Sequence, residues 1–342
     1  MLISKVSHIC RSELAREADA AIASKLAPTG RMFLSFSAVG RGLIHLVALC
    51  LLCGLSIARA ETRIAVLYPE SAPAFQKLYQ TIIGGVGQAA DVRVQSRSVS
   101  DKDSIDQLKS WLASGQTQVV IGLGSLPASV TSSVAAGMPL IYGAGALNDN
   151  NIPGVSLASS PNKLFDRLTQ LKPDVERVFM VYRPQSTGWL LSAGKAAARD
   201  HGLELIAAPS EDIQQAAAAF TRILQQTRPG KDAIWLTLDP VVPANLLLPV
   251  LLREAWDKQL VLFSNNPLDV SKGALFALYP DYPAMGRQLA ERAKKQIGRN
   301  PPPSPEASEF LNGAVNTRTA SHLGIVLSSQ QQQSFQQVYP ER

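Results

Sequence analysis

The sequence predicts an α/β protein whose body, from residue 61 onward, folds as two doubly wound parallel-sheet lobes in tandem. Three observations carry this. Short, near-continuously apolar runs alternate with segments of helical spacing, the pattern of parallel strands covered on both faces. The pattern is duplicated. RIAVLYPES at 63–71 aligns with RVFMVYRPQS at 177–186, and VVIGLGS at 119–125 aligns with AIWLTLD at 233–239, both at an offset of 114. Finally, apolar residues make up 46% and charged residues 18%, with no long polar tract, so each lobe has the material for its own core.

The elements follow in order. Strands are read over 63–68, 92–96, 119–122 and 140–142 in the first lobe, with Ile105, Leu108 and Leu112 marking the apolar face of an intervening helix. Ser125, followed by Pro127 and a run of Ala, Ser and Val, reads as an N-cap. In the second lobe the strands are 177–182, 204–207, 233–237, 261–264 and 275–279. Ser186 or Thr187 reads as the cap of the helix that runs to Arg199. His201, before Gly202, suits the negative end of that helix. LIYGA at 140–144 aligns with VLFSN at 261–265 at an offset of 121, so the second copy carries seven extra residues in its intervening helix and loop. Repeats of roughly this length that each close their own sheet are lobes, not solenoid units.

Residues 1–60 stand apart as a leader. GLIHLVALCLLCGLSIA at 42–58, preceded by Arg41 and followed by Arg59-Ala60, has the layout of a secretory signal with an A-x-A site after Ala60. The run is short for a membrane span and is interrupted by His45; the leader is either cleaved there or kept as an anchor. The polar stretch 1–31 does not resemble a signal n-region, and translation is expected to begin at Met32. Cys10, Cys50 and Cys53 all lie in this leader, so thiol chemistry, Cys-ligated metals and disulfides are excluded from the body. Seven of the 33 basic residues and three of the 27 acids lie there too, leaving 26 against 24 and a net charge of +2 for the rest. That balance offers no nucleic-acid footprint.

Other motifs fail. Gly122-Leu123-Gly124 lacks the third glycine of a dinucleotide fingerprint, and Pro127 stands in its place. No phosphate loop and no nucleophile elbow occurs. His201 and His322 are the only histidines of the body. No cofactor, no metal and no catalytic set is expected.

In open parallel sheets ligands lie beyond the carboxyl ends of the strands. The candidates there are Tyr68, Ser125 and Tyr142 in the first lobe, and Arg183, Ser186, Thr187, Asp239, Ser264 and Asn265 in the second. Helix starts offer free N–H groups to a carboxylate, Arg183 a bidentate partner, Asp239 an acceptor for an amino group, and the tyrosines flat surface. The plainer readings are helix capping for the hydroxyl residues, a strand-exit turn for Asp239-Pro240 and a solvated surface for Arg183.

Four segments extend the reading: NIPGVS at 151–156, KDAIW through Asp239-Pro240 at 231–240, KGALFALYPDY at 272–282 with Gly286-Arg287, and NTRTASHLG at 316–324. With these the chain resembles periplasmic substrate-binding proteins of ABC transporters, in the branch with tryptophan- and tyrosine-binding members. The resemblance implies a type I periplasmic-binding fold with a three-segment hinge. It implies crossings near Ala158, Tyr279 and Pro305, and a first lobe of 61–158 plus 280–304. The second lobe would be 159–279 plus 305–327; from composition, 301–305 reads as a stiff connector and the Gln-rich 328–342 as a flexible tail. It adds Asp281 and Tyr282 as cleft residues, and takes 151–156 as a hinge-proximal turn. The segment between Tyr142 and Asn151 is shorter than in many members. The expected function is a periplasmic, monomeric, non-enzymatic carrier of a small organic ligand, an amino acid by preference, serving an inner-membrane ABC permease. The alternative is a sensor or protein-interaction subunit that keeps the fold without transport.

Overall fold

The computed structural model describes residues 61–145, 153–298 and 305–340. The leader, the shortened segment 146–152 and all of the expected connector except Pro305 lie outside the described residues.

The first lobe is built on a six-stranded sheet. Strand β1 (Thr62–Pro69) leads through helix α1 (Pro73–Gly87) to β2 (Val92–Val99). Helix α2 (Ile105–Ser114) then leads to β3 (Val119–Leu123), and α3 (Ala128–Ala135) to β4 (Leu140–Gly143), with β5 (Gly154–Ser159) beyond. With β11 (Pro305–Ser308) from late in the chain, the order is β11-β5-β4-β3-β1-β2 and every pairing is parallel. Strand β3 and the middle of β1, Ile64–Leu67, are buried, and their alternate side chains serve two cores. Ile64, Val66, Val119 and Ile121 face α1 and a late helix, α9 (Tyr282–Gln296), whereas Ala65, Leu67 and Val120 face α2 and α3.

The second lobe repeats the scheme. Its elements are α4 (Pro161–Leu171), β6 (Arg177–Tyr182), α5 (Pro184–Asp200), β7 (Glu204–Pro209), α6 (Ile213–Gln226), β8 (Asp232–Leu236), α7 (Ala244–Asp257), β9 (Val261–Ser264), α8 (Pro267–Lys272) and β10 (Phe276–Pro280). Val178, Met180 and Trp235 pack toward α4 and α5; Phe179, Val181 and Ile234 pack toward α6 and α7. The duplication reaches the register: Ile64 pairs with Val119, and Val178 with Ala233, each partner displaced by 114. The third equivalent strand is displaced by 122, since Val120 pairs with Leu140 and Ile234 with Leu262. The alignment at 121 was one residue off, because the apolar run alone does not fix strand register.

Three expectations need correction, and one antiparallel strand qualifies the otherwise parallel second sheet. The described part of the stretch 151–156 is not a turn: Gly154 begins strand β5, which pairs with β4. Pro305 does not mark the third crossing. Strand β11 (Pro305–Ser308) joins the first sheet, and the chain passes over only between Ser308 and Leu311; a proline is tolerated at the first position of an edge strand. The second sheet is not all parallel, because β12 (Leu311–Asn316) runs antiparallel to β10. Finally, the Gln-rich tail is ordered as far as it is described. After helix α10 (Thr317–His322), Ser328 and Gln331 form a capping box on α11 (Ser329–Gln333). Phe335 is buried in the second-lobe core, and β13 (Gln337–Tyr339) adds to β12. Composition suggested fraying; one anchoring aromatic and one edge ladder outweigh it.

The three crossings are tied to one another. Ser159 Oγ donates to the Leu278 carbonyl at 2.6 Å, Ser160 N to the Ser308 carbonyl at 3.0 Å, and Asp281 N to the Phe310 carbonyl at 2.9 Å. Beyond the second crossing, α9 returns to the first lobe and packs so closely on α1 that a Cβ on Gly286 would lie 2.1 Å from the Ile82 carbonyl oxygen.

Candidate functional site

In both sheets the first strand lies between the two that follow it, so successive helices leave to opposite faces and a crevice opens at the carboxyl ends of the central pair. For the first lobe that pair is β1 and β3; for the second it is β6 and β8. A cavity of about 210 Å³ lies there, with walls from both lobes and from the first crossing.

The first-lobe wall is the exit of β3, at Gly124 and Ser125, together with Tyr79 of α1. Gly124 adopts φ +65°, and a Cβ there would lie 2.3 Å from the Tyr79 hydroxyl. Only glycine lets the ring come this close. Burial pushes the Tyr79 hydroxyl up from its ordinary pKa, so it stays neutral. The crossing contributes Ser156 and Ala158, the Ser156 hydroxyl accepting from Ala158 N at 3.1 Å.

The second-lobe wall is the first turn of α5, with Ser186, Thr187 and Trp189, and the exit of β8, with Thr237 and Leu238. Asp239 holds these two pieces together. Its Oδ2 accepts from Arg183 N at 2.8 Å and from Thr187 Oγ1 at 2.5 Å, and its Oδ1 accepts from Val241 N at 2.9 Å. The carboxylate is thus engaged from three sides and fixes where α5 begins.

Of the residues expected at the strand ends, the cavity brings together Ser125, Ser186 and Thr187. None of them is a helix cap. Helix α3 starts after Pro127, and α5 starts after Arg183 with Pro184 at its first position, which sets φ for a helix without a side-chain cap. The others lie elsewhere. Tyr68 accepts from Gln80 Nε2 at 3.0 Å and packs beside Tyr79. Tyr142 shares a hydrogen bond with Thr131 Oγ1 at 2.7 Å, turned toward α3. Ser264 donates to Asp269, and the side-chain carbonyl of Asn265 accepts from Trp235 Nε1 at 2.8 Å, so both are internal. Asp281 caps α9 by accepting from Ala284 N, and Tyr282 packs against the first-lobe core. Asp239 shapes the wall from behind. Arg183 does not line the cavity; its half-buried guanidinium has a buried Nε without a hydrogen-bond partner.

Strand-end reasoning missed Tyr79, Trp189, Thr237 and the crossing residues. Trp189 had a signal, since it falls one turn after Ser186. Tyr79 lies in mid-helix and had none. As described, the lining carries hydroxyls and aromatic faces and no carboxylate, guanidinium, ammonium or imidazole. Such a surface binds by hydrogen bonds and stacking.

A family model described as "ABC transporter substrate binding protein" matches residues 63–338. The chain belongs to that family. Its members are solute-binding proteins. Among solved structures, a substrate-binding protein with adhesive properties from Clostridium difficile, in its ligand-free, open form, is similar at a TM-score of 0.54. The identity is 15%, over 82% of this chain and 100% of that one. An ABC domain from Streptococcus pneumonia in complex with L-Trp is similar at a TM-score of 0.51 and 17% identity, over 81% of this chain and 99% of that one. At these identities the likeness is one of fold: a type I periplasmic binding protein. No curated protein sequence matches the chain.

Proposed function

We propose that this substrate-binding protein is exported, captures a small net-neutral organic molecule, an amino acid, in the interlobe cavity, closes over it by hinge bending, and delivers it as a monomer to an inner-membrane ABC permease. The observation that carries the reading is the cavity at the switch points of both sheets, walled by both lobes and, among the described residues, lined without an ionised side chain. A net charge in such a lining would lose hydration with no counter-ion in return. A zwitterion fits better. Its carboxylate finds the hydroxyls of Ser125 and Ser186, and its body finds the indole of Trp189. The three-strand hinge supports closure, and the secretory layout of the leader supports export to the periplasm.

The test is a thermal-shift and calorimetric screen of residues 61–342 against the amino acids, beginning with L-tryptophan. A ligand that raises the unfolding temperature in proportion to its affinity is expected, together with compaction in small-angle scattering. Ser186→Trp should abolish both effects. A screen in which no amino acid stabilises the protein ends the amino-acid reading, and stabilisation that survives Ser186→Trp moves the site elsewhere.

A further inference from the structure

A second cavity, of about 300 Å³, lies within the second lobe alone, between the exit of β8, helix α7 and the start of α8. Its walls are hydrocarbon: Leu247, Leu248 and Leu251 of α7 face Leu236 and Val242. Its polar side is not satisfied. Asp269, only 4% exposed, lines it. Its Oδ2 accepts from Ser264 Oγ at 2.5 Å, while its Oδ1 has no partner. Thr237, 7% exposed, lines the same cavity, and its Oγ1 also has no partner. Buried polar atoms are seldom left unpaired, because each unmade bond costs about 1–3 kcal/mol. Two residues with such atoms line one mostly apolar cavity, which marks a place prepared for a group that donates.

Charge narrows that group. Among the described residues the lining holds two carboxyls, Asp239 and Asp269, and no cation. The Asp239 oxygens are already engaged by Arg183 N, Thr187 and Val241 N, which leaves Asp269 as the free acceptor. Burial pushes the Asp269 carboxyl up, against the opposing pull of the Ser264 hydrogen bond and Lys272, and an arriving cation would favour its ionised form. The short helix α8 is already capped by Asn266, whose Oδ1 accepts from Leu268 N.

We propose that this cavity is a second small-molecule site that takes an alkylammonium compound, with its chain along Leu247, Leu248 and Leu251 and its N–H donors on Asp269 Oδ1 and Thr237 Oγ1. The two cavities share only Thr237, Leu238 and Pro240 in their walls, so each can be blocked without filling the other.

The experiment titrates the protein, residues 61–342, with n-pentylamine, 1-pentanol and pentanoate by calorimetry and thermal shift. The amine is expected to bind at least tenfold more tightly than the alcohol, and pentanoate not at all. Asp269→Asn turns an amide N–H₂ or a weaker acceptor toward the ligand and should erase the tenfold preference. Leu247→Trp, which fills the cavity from a partly exposed position, should abolish binding of both amine and alcohol. Ser186→Trp, which blocks the interlobe cavity, should leave amine binding unchanged. The proposal is overturned by absent amine binding, by equal binding of amine and pentanoate, by a preference that survives Asp269→Asn, or by loss in Ser186→Trp. Should Asp269→Asn fail to fold, amine binding that persists in Leu247→Trp overturns it equally.

Discussion

The hydroxyl of Ser159 donates to the carbonyl of Leu278, 119 residues away, across the junction of the two lobes. Ser159 closes β5 in the first sheet and Leu278 lies in β10 of the second, so one buried bond joins the first crossing to the second. Ser159→Ala should cost about 1 kcal/mol and lower the unfolding temperature by about 2–4 °C. Ser159→Cys, of similar volume but a weak donor, should fall between the two. An unchanged unfolding curve for Ser159→Ala would show that the other crossing bonds alone hold the junction.

A tighter constraint lies between α1 and α9. The missing side chains of Gly85 and Gly286 let these helices touch: a Cβ at Gly85 would lie 2.1 Å from the Pro283 carbonyl oxygen. Backbone cannot give way as a side chain does, so Gly286→Ala should destabilise the first lobe by about 1–3 kcal/mol or more. Hydrogen exchange should show the loss in α1 and α9 while β6 and β8 keep their protection. Uniform loss across both lobes would mean that they unfold as one unit.

Two buried carboxyls should give opposite pH signatures. For Asp232 burial works to raise the pKa, but the hydrogen bonds from Arg177 and Arg228 outweigh it and hold the group below the usual carboxylate range. Its stabilisation is present above the unfolded-state value of about 3.9 and is lost as pH falls through the lower folded value. Asp269, pushed up mainly by burial, acts the other way: its contribution is fullest below that value and drains as pH rises through the raised one. Asp232→Asn should therefore be most destabilising at neutral pH and least in acid. Asp269→Asn should improve relative to the parent as pH rises. Denaturation midpoints between pH 3 and 8 decide both, and parallel curves for all three proteins would refute the assignment.

How much of this was legible follows from what each signal encodes. The apolar strands and their duplication could be read because a strand covered on both faces has no freedom to carry polar residues: Ile64 to Leu67 and Phe179 to Val181 are almost wholly buried. Short edge elements escaped. Pro305–Ser308 and Gln337–Tyr339 hold their places through ladder bonds and one anchor, Phe335, and their composition resembles that of loops. The site was half legible. Strand ends located the crevice, but the alignment said nothing about direction, so Tyr142 was expected in the cleft although its hydroxyl turns to Thr131. Asp239 shows the same limit: a lone acid at a strand exit reads equally as ligand contact or internal clamp, and only its three partners decide.

That clamp makes a prediction of its own. Asp239→Ala would strand the Arg183 and Val241 N–H groups and the Thr187 hydroxyl, and should cost about 3 kcal/mol. Because the Asp239 oxygens are spent inside the second lobe, affinity in the interlobe cavity should fall only as far as the first turn of α5 shifts. Asp239→Asn, which keeps the shape and part of the hydrogen bonding, should bind nearly as the parent does. Calorimetry on Asp239→Asn separates the two roles: a loss of a hundredfold or more would mean that the carboxylate touches the ligand.

Trp189 offers the most direct view of the cavity. It is half-buried on the second-lobe wall, while Trp235 is wholly buried in the core beneath α4, where it stacks against Phe263 and bonds to Asn265. A ligand that enters between the lobes must displace water from the Trp189 ring without touching Trp235. Binding should therefore change the intrinsic fluorescence, and Trp189→Phe should remove most of that change while weakening affinity by less than about tenfold, because the phenyl ring keeps part of the aromatic contact. A signal that persists in Trp189→Phe would have to come from the remaining tryptophans, and would mean that the ligand sits away from the first turn of α5.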